Sequence, residues 1–161
     1  MIASGLPVAR RDHAHVVVQV ALAMRSIVER VANERSLPLQ LRLGIHTGPV
    51  VAGLIGLRKV AYDIWGDTVN LASRMETTAP PGQIQVSERA YQRLQSLCEL
   101  EARGEIELPG RGEMATWLLT GRRPDVPATA FPAPKEPVVD LATAGAASAG
   151  WFGERRRSRL A

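Results

Sequence analysis

The stretch Val60-Ala-Tyr-Asp63-Ile-Trp-Gly66-Asp67-Thr-Val-Asn70-Leu-Ala-Ser-Arg74-Met-Glu-Thr77 decides how the rest of this chain is read. Val60 to Tyr62 is short and β-prone, Gly66 interrupts it, and Asp67 is the expected N-cap of a following helix. Past Asp67 the apolar residues Val69, Ala72 and Met75 recur at helical spacing. Asn70 and Arg74 stand one helical turn apart on the other face, with Cβ atoms about 5–6 Å from each other. Asparagine offers a neutral donor and acceptor, and arginine a rigid cationic fork that suits phosphate oxygens. As residue types alone, the pair is either two solvated helix positions or a clamp for a sugar and a phosphate.

Upstream, Asp12 is a plausible N-cap, and Val17, Val20, Ala21, Met24, Ile27, Val28 and Val31 form one stripe, which predicts a long amphipathic helix over 13–35. His13 and His15 do not share a helix face, so they read as surface residues rather than a metal pair. Leu39, Leu41, Leu43 and Ile45 alternate with Gln40, Arg42, Gly44 and His46, the pattern of a half-buried strand. Val50 to Leu57 follows as strand with glycine bends, matching neither a P-loop nor a dinucleotide fingerprint.

Downstream, Ala79-Pro-Pro-Gly82 breaks the helix, and Ile84 to Val86 is a short strand. Ser87 is expected to cap a helix that turns Ala90, Tyr91, Leu94 and Leu97 inward. Residues 98–108 read as two short strands joined at Arg103-Gly104. The turn Pro109-Gly-Arg-Gly112 and a last strand over Ala115–Leu119 follow.

The apolar fraction of 45% is ordinary for a single domain of 161 residues, and the aromatic fraction of 4% is low. Residues 122–161 hold seven basic and four acidic groups, so +3 of the net +4 belongs to that segment and only +1 to the rest. The basic balance is therefore poor grounds for nucleic-acid binding by the domain. Cys98 is the single cysteine, which precludes an internal disulfide and suits a reducing compartment. No apolar run approaches the roughly 18–20 residues of a membrane span and no signal peptide is visible, so the expected location is cytoplasmic, away from membranes.

Four motifs occur in one order: Leu43-Gly-Ile-His-Thr-Gly-Pro-Val-Val-Ala-Gly53, Asp63 to Glu76, Pro81-Gly-Gln-Ile-Gln-Val-Ser87, and Arg103-Gly-Glu-Ile-Glu-Leu-Pro-Gly-Arg-Gly112. Together they resemble the class III nucleotide cyclases, the adenylate and guanylate cyclase catalytic domains, from about Met1 to Gly121. The resemblance implies an α/β (α+β) fold: an incomplete ferredoxin-like sheet, mixed in direction, with helices on one face. Residues 1–121 would be the C-terminal part of the catalytic domain, and 122–161 a Pro/Ala/Arg-rich disordered tail.

The implied reaction converts ATP to 3′,5′-cyclic AMP and pyrophosphate, assisted by two magnesium or manganese ions, at a site shared by two domains of a homodimer or heterodimer. Carried over by position, Asn70 orients the ribose and Arg74 stabilises charge on the α-phosphate. Asp63 reads adenine, since a carboxylate accepts from the adenine amino group. In the turn the family pattern is Lys-Gly-Lys-Gly; here Pro109 replaces the first lysine, leaving Arg111 as the phosphate candidate. His46 is expected to be structural, not a general base.

One departure is large. The family's two metal-binding aspartates, and a lysine at the adenine, fall in a segment before the residues seen here, and neither Asp12, Asp63 nor Asp67 replaces them by position. The chain as written is thus expected to be inactive alone. Three readings follow, in this order: a longer enzyme whose start is set at an internal Met, a half-partner lending Asp63, Asn70 and Arg74 to another cyclase chain, and a non-catalytic dimerisation or regulatory module.

Overall fold

The computed structural model describes residues 1–55 and 61–130. The elements run α1 (His13–Arg35), β1 (Leu43–Ile45), β2 (Val51–Ile55), β3 (Ala61–Trp65), α2 (Asp67–Thr78), β4 (Ile84–Ser87), α3 (Glu88–Leu94), β5 (Cys98–Leu108) and β6 (Gly112–Arg122), with a 3-10 turn at Ala128–Ala130. Four strands form a mixed sheet in the order β1-β4-β6-β5, and β2 and β3 form a separate two-stranded hairpin. β1 lies parallel to β4, with Leu43 opposite Ile84, and the other pairs are antiparallel.

All four residues of β4 are buried. Successive strand residues face opposite sides, so a strand buried at every position is covered on both. Ile84 and Val86 join Ile45 of β1, Ala14, Val18 and Ala21 of α1, Ala90 and Leu94 of α3, and Leu119 of β6 in the larger core. Gln85 points the other way, where its amide donates to Thr78 Oγ1 of α2 at 2.9 Å. Gly44 points the same way as Gln85: a Cβ there would sit 2.6 Å from the carbonyl oxygen of Ala72 and the carbonyl carbon of Met75. Its lack of a side chain lets α2 approach β1 backbone to backbone.

The mixed α+β architecture is the expected one, but α2 covers the face opposite α1 and α3. Helical periodicity shows that each helix has an apolar side and not which face of a sheet receives it.

β5 is one continuous strand, although a break is expected at Arg103-Gly104. Ala102 pairs with Trp117 and Gly104 with Thr116, so Arg103 is an extra residue in a bulge. Gly104 takes φ +96°, a conformation open to glycine. The bulge swaps the faces of the strand. Cys98 and Leu100 belong to the larger core, while Ile106 and Leu108 pack with Leu71 and Met75 of α2. The extruded Arg103 donates to Thr78 O at 2.7 Å and to Gln85 Oε1, satisfying groups under α2.

Several local expectations need correction. Asp12 stands at the N-cap of α1, but its carboxylate accepts from Arg10 at 2.6 and 2.7 Å rather than from the helix. The N-cap of α2 is Gly66, and Asp67 is the first helical residue. Ser87 does cap α3 by position, but no cap bond forms, and its hydroxyl meets His46 Nδ1 at 2.6 Å. Within the alternating run only Leu43–Ile45 is strand, because the partner β4 begins at Ile84, straight after the Pro80–Gly82 turn. Leu39 consequently stays 47% exposed. β6 runs past the expected end to Arg122, and Val126 packs on the larger core. Residues 131–161, most of the segment expected to be disordered, lie outside the described residues, as do 56–60. Among the described residues no helix is long and apolar enough to cross a membrane.

Candidate active site

The junction between β3 and α2 turns at Gly66, whose φ of +130° disfavours any side chain. Its carbonyl accepts the amides of Val69 at 3.1 Å and Asn70 at 3.3 Å, closing the first turn of α2. Asn70 is exposed there, and Arg74 follows one turn later, half-buried. Asp67, Asn70 and Arg74 fall at i, i+3 and i+7, one face of the helix. Leu71 and Met75 form the buried face, so Leu71 replaces Val69 as the anchor.

The Arg74 guanidinium lies against the turn between β5 and β6. A Cβ built on Gly110 would be 3.4 Å from Nη1 and 3.7 Å from Nη2, so glycine leaves room for the fork. Nη1 is buried, and no hydrogen-bond partner reaches it among the described residues. Buried donors are rarely left unpaired, so this nitrogen calls for an acceptor. The next residue of the turn, Arg111, forms an ion pair through Nη2 with Asp67 Oδ1. The turn between β5 and β6 therefore meets the face of α2 that carries Asp67, Asn70 and Arg74, with Gly110 near Arg74 and Arg111 on Asp67. Asp67, expected only as a cap, is the residue that sequence reasoning missed. Its helical spacing from Asn70 was the available signal.

Asp63 stands in β3, opposite Gly53 of β2. It is exposed, and its Oδ1 accepts from the amide of Ile64 at 2.8 Å. No described contact joins it to Asn70, Arg74 or Arg111, so the hairpin presents it independently. His46 follows β1, half-buried. Burial, then the charges of Arg89 and Arg111, hold its pKa down at about 4, so the ring is neutral at pH 7 and keeps its bond to Ser87. His13 is tied in more than a surface residue would be: Nδ1 lies 3.0 Å from Arg10 O and Nε2 3.0 Å from Thr47 Oγ1, linking α1 to the loop after β1.

The metal ions implied by the sequence do not fit these residues. Among the described residues no three His, Cys, Asp or Glu side chains stand close enough to hold a cation. The carboxylate at this face, Asp67, is already held by Arg111. Two cationic forks make it a face for an anion. None of the cavities of about 810, 490 and 440 Å³ is lined by Asn70, Arg74 or Arg111.

Comparison with known proteins identifies the family. The family profile described as the adenylate and guanylate cyclase catalytic domain matches residues 1–121. An adenylate cyclase of Mycobacterium tuberculosis is 46% identical over 123 residues, 76% of this chain and 28% of that protein. The guanylate cyclase soluble subunit beta-2 of Rattus norvegicus is 43% identical over 121 residues, 74% of this chain and 18% of that one. Among solved structures, the adenylyl cyclase CyaB from P. aeruginosa superposes with a TM-score of 0.71 at 26% identity, covering 77% of this chain and 68% of that one. The fold and motifs are those of a nucleotide cyclase domain. This chain belongs to the adenylate and guanylate cyclase catalytic domain family. It spans less than a third of the length of these curated relatives.

Proposed function

We propose that this chain supplies the nucleotide-orienting half of an adenylate cyclase site, completed by a second cyclase domain that brings metal-binding carboxylates. The reaction forms a bond from the ribose 3′-oxygen to the α-phosphorus of ATP and releases pyrophosphate, leaving 3′,5′-cyclic AMP. Asn70 holds the ribose so that the 3′-oxygen lines up with the phosphorus. Arg74 donates to the α-phosphate oxygens as negative charge grows there in the transition state. Arg111 exchanges Asp67 for the oxygens of the leaving pyrophosphate. Asp63 accepts from the exocyclic amine of adenine, a bond that the guanine carbonyl cannot make.

The observation that carries this reading is the buried, unpartnered Nη1 of Arg74 beside Arg111. A second reading, a non-catalytic dimerisation or regulatory partner, draws on the hairpin, where Leu54 is 73% and Tyr62 52% exposed. One mixing assay separates them. The chain is combined with a metal-competent cyclase domain lacking its own asparagine and arginine, and cyclic AMP from ATP or cyclic GMP from GTP is measured. The half-site reading expects ATP turnover only in the mixture, at least about a hundredfold lower with Arg74→Ala. It also expects a relative gain for GTP with Asp63→Cys. A silent mixture in which the two chains still bind each other leaves the partner reading standing and removes the catalytic one.

A further inference from the structure

A different cluster lies between α1, the loop after β1 and α3. The 490 Å³ cavity there is lined by His13 of α1, Thr47, Gly48 and Pro49 of the loop after β1, and Arg89, Gln92 and Arg93 of α3. We propose that this cavity is a second oxyanion site, in which Arg89 and Arg93 bind a phosphate or diphosphate group.

Arg89 and Arg93 are i, i+4 neighbours on α3, the spacing at which like charges repel. Neither guanidinium has a hydrogen bond or ion pair among the described residues, and no carboxylate lines the cavity. By contrast Arg10, Arg111 and Arg123 each have an aspartate. An anion between the two forks would remove their repulsion and supply charge-assisted bonds. The rest of the lining holds no carboxylate and includes the polar side chains of Thr47 and Gln92, with the His13–Thr47 hydrogen bond of 3.0 Å joining α1 to the loop that walls it. Arg89 is also near enough to His46 for its charge to help keep that ring neutral.

The site bears on α2. Thr68 Oγ1, in the first turn of α2, donates to Pro49 O at 2.5 Å, so the loop that walls the cavity also braces the helix carrying Asn70 and Arg74. Inorganic phosphate and pyrophosphate share the chemistry required; the second is the product expected of the proposed reaction. The site itself stands apart from that proposal.

The test is a titration of the full chain with sodium phosphate and with sodium pyrophosphate, followed by amide chemical shifts. Expected are saturable shifts at Thr47, Gly48, Arg89, Gln92 and Arg93. The double variant Arg89→Ala/Arg93→Ala, at two exposed positions, should weaken binding about tenfold or more. Arg74→Ala/Arg111→Ala should leave these shifts within about twofold. Pyrophosphate binding at least about tenfold tighter than phosphate would mark a diphosphate ligand, and equal binding a single phosphate group. Full binding by the Arg89/Arg93 variant, loss of these shifts in the Arg74/Arg111 variant, or only unsaturable drift in the wild-type chain would each overturn the site. None of these results bears on whether the mixture of domains makes cyclic AMP.

Discussion

β4 and the β2–β3 hairpin are both short and rich in apolar residues, yet they sit in opposite environments. Ile84 and Val86 of β4 are fully buried, whereas Val51, Leu54, Ile55, Tyr62 and Trp65 of the hairpin are between 41% and 73% exposed. β4 has strands on both edges and helices on both faces; among the described residues the hairpin pairs only with itself. A solitary hairpin is marginal in water, so this one is held by its junction to α2 rather than by its own core. The sheet hides its apolar residues and the hairpin displays them. The hairpin carries Asp63 and the sheet side carries Asn70, Arg74 and Arg111, so the parts proposed to read the base and the phosphates differ in how much core stands behind them.

This contrast can be broken experimentally, and Gly44→Ala applies the largest load. With Cβ overlapping the backbone of Ala72, Met75 and Glu76, α2 must move off the sheet; we expect a loss of about 4 kcal/mol or more in urea unfolding. Leu119→Ala, in the larger core, should cost about 2–5 kcal/mol by the same measurement. The pH dependence comes next. The folded pKa of His46, about 4, lies below its usual 6.5, so the unfolded chain takes up the proton first. Stability should be complete above pH 6.5, decline as the pH falls toward 4, and level off below. The His46 contribution is at most about 3 kcal/mol, and His46→Asn should flatten that part of the profile. The smallest effect belongs to the hairpin: Leu54→Ser should leave unfolding within about 0.5 kcal/mol, yet weaken association with a second cyclase domain in sedimentation. A large loss of monomer stability with Leu54→Ser would place the hairpin within the core and end the contrast.

Much of this architecture was legible beforehand. α1 was bounded by its stripe, α2 by Gly66 and the Pro80 breaker, and the turn at 109–112 by its glycines. What escaped were features set by partners distant in sequence. Arg25 lies off the apolar stripe of α1, yet its guanidinium donates to Leu119 O at 3.1 Å and Thr120 O at 2.7 Å. Ile27 belonged to the apolar stripe and is 51% exposed, because only the first half of α1 lies over the sheet. Asp12 and Asp67 had the chemistry of caps, and each was captured by an arginine instead. At the candidate site the pairing of Asn70 with Arg74 followed from helical spacing. The approach of Gly110 to Arg74 depends on a turn contributed by the other end of the sheet.

The order of strands also bears on how the chain finds its fold. β5 and β6 are long neighbours joined by a tight turn, and Leu108 needs only to meet Gly112 for their pairing to start. β1 must find β4 across the hairpin and α2, a parallel pairing whose loop entropy is lost before any contact compensates. The β5–β6 hairpin should therefore be the early nucleus and β1 the last strand to dock. Substitutions in β6 would then slow folding, while those in β1 would chiefly speed unfolding.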